Sequence, residues 1–447
     1  MKTIRISLVA MALLGLALTG CSPDDPTHPI PEIARPDGPA ALARYVAIGN
    51  SLTAGFMDGG LSIVGQLSSY PAQIAGQLGE SPAPGSDPWF SQPLIALPGV
   101  GSSTPSTPAN AAGVLHWNGA SISVLDETPL IDLQANLLLA SLYPTPYRNL
   151  GVPGATTLDV TAALNSSTSQ SPGNRYFDLI LRNPTFGDVN MLDQAIAQGP
   201  TLVSVWIGNN DVLGGATGGQ PELGVNVTPP AEFETMLDGI ITTLVTGVED
   251  RFLVTPHLVV GNIPSITSVP YFMPKALFDQ ITTGGLGSYP TDEDDVAYVR
   301  FPALAIADGS PLDATWTLTA DEVQVVEAAV AGYNAAIAAL ADEHGFTVAD
   351  LHALLGGLDA ASRTHFQVLV GGGMTVSAAA AATAFSLDGI HPNSRGYSLV
   401  ANAFIEAINT ELGLSGADAV SYVDEAAWDP TYASYAGKSP QLAGLLR

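Results

Sequence analysis

A chain of 447 residues, 46% of them hydrophobic, is long enough for one large α/β domain or two ordinary ones and can readily bury a core. Only 13% of residues are charged, and 14 Lys and Arg stand against 42 Asp and Glu, so the net charge of −28 comes from missing bases rather than added acids. No basic patch exists to neutralise phosphates, which excludes a nucleic-acid partner, and an anionic bilayer would repel the chain unless a hydrophobic device attached it.

The N-terminus offers such a device. Met1-Lys2-Thr3-Ile4-Arg5 is a short basic start before an apolar run from Ile6 to Leu18. That run is too short for a transmembrane span and suits a secretory leader. It ends in Leu18-Thr19-Gly20-Cys21, which resembles the lipobox of bacterial lipoproteins. The resemblance implies that residues 1–20 are a signal peptide and that Cys21 is lipidated, tying an extracytoplasmic domain to the membrane of the cell envelope. Cys21 is the single cysteine, so no intrachain disulfide can form and the fold must rest on its core. Residues 21–42 read as a tether. Six prolines (Pro23, Pro26, Pro29, Pro31, Pro36, Pro39) fall among small and polar residues. Extended at about 3.1 Å per residue, such a spacer reaches roughly 60 Å.

From residue 43 onward the pattern changes to alternating strands and helices. Arg44–Ile48 is a short apolar run stopping at Gly49, and Phe177–Leu181, Leu202–Ile207, Leu258–Ile263 and Phe346–Leu351 look alike, each predicting a buried strand. Helices are predicted over Ile131–Leu142, Pro230–Thr246, Asp321–His344 and after Pro392, where Tyr397, Val400, Phe404, Ile408 and Leu412 share a face. Such alternation predicts βαβ units, a parallel sheet and helices on both of its faces. Three stretches fit poorly: residues near 82–130, 213–229 and 264–318 are rich in Gly, Pro, Ser and Thr, as lids, binding loops or disordered insertions would be. The apolar piece Leu94–Pro98 within the first of them suits either an acyl-chain contact or a loop core. The domain is expected to end near residue 413, with the tail 414–447 packing its aromatic residues Trp428, Tyr432 and Tyr435 on the surface.

Two places carry chemistry. In Ala47-Ile48-Gly49-Asn50-Ser51-Leu52, a serine follows a buried strand at the start of the next helix, on the carboxyl edge where open α/β sheets bind ligands. The helix start there offers N–H groups and a positive dipole end to a developing oxyanion. A serine in that position also makes an ordinary helix N-cap. In Asp388-Gly389-Ile390-His391-Pro392, an acid three residues before an imidazole can fix Nδ1–H and leave Nε2 as a base. Pro392 suits the first helical position. His257, His344, His352 and His365 lack such a setting and read as structural. Between the two places lie Asn149-Leu150-Gly151-Val152-Pro153-Gly154-Ala155 and Gly208-Asn209-Asn210-Asp211, the latter directly after a strand. An amide at a strand end can donate to a substrate oxygen, although Asn and Gly also fill turns. No histidine spacing suits a metal, and no cofactor-cradling loop is present.

In this order the four pieces resemble the blocks of the SGNH (GDSL-like) hydrolase family, over residues 44 to about 412. The match is Gly49-Asn50-Ser51-Leu52, Gly154, Gly208-x-Asn210-Asp211 and Asp388-x-x-His391. The resemblance implies a three-layer α/β/α sandwich around a parallel, flavodoxin-like sheet, and a serine esterase or lipase needing neither metal nor cofactor. Ser51 would be the nucleophile, His391 the base and Asp388 its orienting acid. The N–H groups of Ser51 and Gly154 and the Asn210 amide would form the oxyanion hole. The substrate would be an ester of a lipid, an acylated glycan or a small molecule. Asn50 departs from the family pattern, which has Asp, and this predicts altered tuning rather than lost activity. An acyltransferase using the same triad, or a non-catalytic binding lipoprotein on the same fold, would fit the same motifs.

Overall fold

The computed structural model describes residues 33–81, 86–101, 113–117, 122–124, 144–182, 185–358 and 383–425. The leader, Cys21, most of the tether and the anticipated helix at 131–142 lie outside the described residues.

Five short runs make the central sheet: β1 (Tyr45–Gly49), β2 (Asn149–Gly151), β3 (Leu202–Trp206), β4 (His257–Gly261) and β5 (Thr347–Ala349). They lie in the order β2-β1-β3-β4-β5, every neighbouring pair parallel. This is the flavodoxin-like order, whose direction of winding reverses between β1 and β3 and opens a crevice at their carboxyl ends. β1, β3 and β4 are buried along their whole length, which is why they read as unbroken apolar runs rather than as alternation.

Side chains nevertheless alternate between the two faces. Val46, Ile48, Val203, Val205, Leu258 and Val260 share one core with the helices Pro230–Phe252 and Ala320–His344. Tyr45, Ala47, Leu202, Trp206 and Val259 share another with the helices Tyr70–Gln77 and Ser394–Glu411. The result is the expected three-layer sandwich.

Several sequence expectations need correction. Phe177–Leu181 is not a strand but most of a helix, Tyr176–Leu181, with Phe177, Leu179, Ile180 and Leu181 buried. A five-residue apolar run does not distinguish a strand from one buried helical turn. The place at that edge of the sheet is taken instead by β2, whose three residues include a buried Asn and carry no strand signal. The segment 264–318 is not an irregular insertion. It holds an antiparallel three-stranded sheet of Phe272–Pro274, Val296–Arg300 and Thr317–Thr319, and the helix Lys275–Thr283. Its own core contains Met273, Phe278, Tyr289, Val299, Ala303 and Leu312. Its strands are too short for their period to stand out. The first part of 213–229 is likewise helical, within Asn210–Gly218. In the described part of 82–130, Leu94 and Ile95 are buried in packed clusters, so they serve the core.

Both ends of the domain extend past the expected borders. The main chain of Ala34 accepts from Thr255 and donates to the Leu253 carbonyl, each at 2.9 Å, and Arg35 reaches Glu411 at 2.7 Å. The chain is therefore docked from about residue 33 rather than 43. After the last helix, Val420 and Val423 are buried and their main chains are held by Asn409 and Asn402. The three aromatic residues of the tail lie outside the described residues.

Candidate active site

β1 ends at Gly49 and the chain turns at Asn50, whose Oδ1 accepts the Leu52 N–H at 3.0 Å and so caps the helix Ser51–Ala54. That helix is a single turn, too short for a summed dipole to matter, so any help to an oxyanion comes from local N–H groups alone. Ser51 is the first helical residue, Asn50 being the cap. Its side chain stands at the carboxyl edge of the sheet, 8% exposed. Asn50 itself is fully buried and donates through Nδ2 to Asn209 Oδ1 at 3.0 Å. The amide that replaces the family carboxylate thus ties the serine turn to the segment that follows β3, a bond in which a carboxylate could not be the donor.

His391 arrives from the far end of the chain. Its Nε2 lies 2.9 Å from Ser51 Oγ, and its Nδ1 lies 3.0 Å from Asp388 Oδ2. Asp388 is well supplied with donors. Oδ1 accepts the Ile390 and His391 N–H groups, both at 2.8 Å, and Oδ2 also accepts the Gly59 N–H at 2.8 Å. Burial pushes the Asp388 carboxyl up, yet the His391 imidazole and the His391 and Ile390 N–H groups overcome it and hold the group below the ordinary 3.8. The Phe56 ring sits 4.6 Å from the imidazole and covers it. Pro392 is not the first helical residue. Asn393 caps the last helix through Oδ1 to the Gly396 N–H at 2.9 Å, and Pro392 stands just before that cap.

The segment after β2 passes beside the serine turn. Gly154 has φ +82, where a side chain is strained, and an added Cβ would lie 2.8 Å from Asn174 Nδ2. Among the described residues neither the Ser51 nor the Gly154 N–H has a hydrogen-bond partner. Asn210 Nδ2 donates to the Ala155 carbonyl at 2.8 Å, leaving one amide N–H uncommitted. Its neighbour Asp211 is buried and takes both the N–H and the hydroxyl of Thr157, at 2.9 and 3.0 Å, and the Thr228 hydroxyl at 3.1 Å. Burial raises its pKa in spite of these donors. Asn210 and Asp211 therefore hold the loop that carries Gly154 as well as standing beside it.

Sequence reasoning missed the supports. Gly59, Phe56 and Tyr271 all touch the histidine loop, Tyr271 through its N–H to the Gly389 carbonyl at 2.9 Å. The last of these comes from the 264–318 subdomain, which had no motif to mark it. Among the described residues no cluster of side chains suits a metal ion.

Set beside known proteins, residues 45–404 match the GDSL-like lipase/acylhydrolase family. No curated protein matches the chain. Similar solved structures include an alpha/beta hydrolase enzyme from the metagenome of Lake Arreo, Spain, at 15% identity, covering 82% of this chain and 95% of that one, with a TM-score of 0.34. A catalytic mutant of an acetylxylan esterase from Geobacillus stearothermophilus is 16% identical over 83% of this chain and 94% of its own, with a TM-score of 0.32. Phospholipase A1 from Streptomyces albidoflavus NA297 is 16% identical over 84% and 100%, with a TM-score of 0.32.

Proposed function

Since this chain belongs to the GDSL-like lipase/acylhydrolase family and is a carboxylic ester hydrolase, we propose that it works through Ser51, His391 and Asp388 by way of an acyl-enzyme. The observation that carries this reading is the unbroken line of contacts from Asp388 Oδ2 through the imidazole to Ser51 Oγ, at 3.0 and 2.9 Å. In the first half-reaction Ser51 Oγ attacks the ester carbonyl carbon while its proton passes to His391 Nε2. Asp388 stabilises the imidazolium and keeps Nδ1 as the proton-bearing nitrogen. The free N–H groups of Ser51 and Gly154, with the remaining N–H of Asn210, receive the carbonyl oxygen as it becomes negative. The C–O bond to the alcohol then breaks and the imidazolium protonates the leaving alkoxide. Water, deprotonated by the same Nε2, attacks the acyl group, and the acid leaves with Ser51 restored.

The protein acts at the cell envelope, held through a lipid on Cys21. The docked residues from 33 onward support a definite orientation. Arg35 meets Glu411 at the far end of the last helix, whose 18 residues separate that contact from the histidine loop by about 27 Å. The tether thus joins the domain on the sheet edge opposite Ser51, and the catalytic edge faces away from the anchored end. An ester outside the anchoring membrane is the substrate this favours.

Hydrolysis of p-nitrophenyl esters from acetate to palmitate, with Ser51→Ala alongside, tests the chemistry. Activity that survives in Ser51→Ala ends the proposal, and the preferred chain length separates a short-acyl esterase from a lipase. Radiolabelled palmitate incorporation by the wild type, lost in Cys21→Ser, tests the anchor.

A further inference from the structure

We propose that the turn Met57-Asp58-Gly59-Gly60, just past the nucleophile, is a positioning device for Asp388 and, through it, for His391. The proposal rests on the catalytic reading given above. The turn is held in an unusual shape: Asp58 has φ +56 and Gly59 φ +70, and the main chains of Met57 and Gly60 bond to each other in both directions, at 2.9 and 3.2 Å. That geometry aims three groups at one short segment more than three hundred residues away. The Gly59 N–H donates to Asp388 Oδ2 at 2.8 Å. The buried Asp58 carboxylate accepts the Leu387 N–H at 2.8 Å, and the Asp58 N–H donates to the Ser386 hydroxyl at 3.0 Å. Residues 386, 387 and 388 are thus each gripped by the turn.

The grip matters because Asp388 Oδ2 must serve two donors in one position. It meets His391 Nδ1 at 3.0 Å while the Gly59 N–H fixes it from another side. Among the described residues the other carboxylate oxygen is bound only by N–H groups of its own loop, from Ile390 and His391. Those bonds travel with the loop and cannot place it relative to Ser51. The Asp58–Gly59 turn can, because it is seven and eight residues from Ser51 along a chain that is buried between them apart from the half-buried Leu52. Phe56, which covers the imidazole, is part of the same stretch, and its carbonyl accepts the Tyr397 hydroxyl from the last helix at 2.7 Å. One continuous stretch therefore carries the nucleophile and sets the position of the acid and base. A buried Asp at such a point does more than fill a turn, since an apolar residue could not take the Leu387 N–H at all.

The test uses the full chain with p-nitrophenyl acetate, measuring kcat, KM and the pH profile of kcat/KM for Asp58→Ala, Asp58→Asn, Ser386→Ala and Ser51→Ala. Misplacing a reacting group by an ångström costs on the order of 100-fold, so Asp58→Ala is expected to lose about 10- to 100-fold in kcat with KM little changed. With the carboxylate no longer held against the imidazole, the imidazolium is less stabilised, so the acid limb of the profile moves to lower pH. Asp58→Asn keeps an oxygen for the Leu387 N–H and is expected to recover most of the activity. A merely structural role predicts the opposite pattern: a lower melting temperature with kcat and the acid limb unchanged, which overturns the proposal. If Asp58→Ala does not fold, Ser386→Ala carries the same test, with a smaller loss in the same direction supporting the proposal and an unchanged kcat and limb overturning it. Activity that survives Ser51→Ala would sink the catalytic reading as well. A dead Ser51→Ala beside an unaffected Asp58→Ala sinks this inference alone.

Discussion

The two ends of the sheet each hold a histidine against a buried carboxylate, and in only one of the two does the other ring nitrogen face a hydroxyl. At the carboxyl end, His391 Nδ1 lies 3.0 Å from Asp388, and at the amino end His257 Nδ1 lies 3.1 Å from Glu411. Both pairs are well covered: the side chains are 12% and 12% exposed in the first, 8% and 4% in the second. What separates them is the other ring nitrogen. His391 Nε2 faces the Ser51 hydroxyl at 2.9 Å, a group that can give up its proton. His257 Nε2 faces the Pro36 carbonyl at 2.7 Å, which only accepts, so that nitrogen is committed as a donor and has nothing to receive. The Glu411 carboxylate is shared further with Arg35 at 2.7 Å and Thr347 at 2.8 Å, making it the knot that ties the N-terminal segment, β5 and the last helix together. A histidine–carboxylate pair is therefore not a site. The partner of Nε2 decides whether it is machinery or fastening.

Substitution of the two histidines tests that distinction most strongly. His391→Ala is expected to lower kcat by about 10⁶-fold, the scale seen when one member of a serine triad is removed. His257→Ala is expected to leave kcat per folded molecule unchanged while lowering thermal stability. An equal loss of activity in the two variants would show that the amino-end pair feeds the site, and the contrast would fail.

Within the carboxyl end, Asn210→Ala separates donation from support. Losing an oxyanion donor costs about 10²–10³ in kcat, with KM little affected. Because Asn210 also holds the Ala155 carbonyl, its removal should act on the Gly154 N–H as well, and the effect should lie toward the upper end of that range. A loss below tenfold would mean that the amide serves the loop and not the oxyanion. At the amino end the corresponding probe is Glu411→Ala. Its removal leaves the buried His257 Nδ1 and the Thr347 hydroxyl without their carboxylate partner, at a cost of roughly 1–3 kcal/mol, read as a drop in the denaturant midpoint, while hydrolysis of a soluble ester stays at the wild-type rate. The exposed half of that cluster should matter far less: Arg35 is 51% exposed, so Arg35→Ala should cost no more than about 1 kcal/mol.

How far such a molecule can be read from its sequence depends on where the partners of each residue lie. β1, β3 and β4 were legible because burial on both faces leaves unbroken apolar runs, and the two long helices because their apolar residues recur at helical spacing. The serine turn and the Asp388–His391 loop were legible because glycine, proline and a short acid-to-histidine spacing compress each into a few consecutive residues. β2 was not, since three residues beginning with Asn give no period, and the helix Tyr176–Leu181 was misread for the matching reason. The supports were not legible at all. Asp58 meets Ser386 and Leu387 across more than three hundred residues, and His257 meets Glu411 across 154, so nothing local marks either of them. The docking of residues 33–36 was hidden for the same reason: Ala34 and Arg35 bond to 253, 255 and 411, and prolines around them suggest a free spacer.

The pH axis supplies the smallest effect and the finest test of the carboxyl end. Burial alone would raise Asp388, but the imidazole and the surrounding N–H donors bring it below the ordinary 3.8. A carboxyl whose folded pKa is depressed stabilises the fold fully above its unfolded pKa, and that contribution is lost as the pH falls through the lower folded value. The melting-temperature gap between the wild type and Asp388→Asn should therefore be constant from neutral pH down to about pH 4 and shrink only below it. The effect is small because it is the residue of two opposing influences on one group. A gap that instead widens in favour of the wild type as the pH falls through about 5 would mean that burial outweighs the donors, so that Asp388 is protonated under mildly acidic conditions and cannot hold an imidazolium there. In that case activity with a soluble ester would fall over the same range, whereas an Asp388 that stays ionised leaves activity there untouched by its own titration.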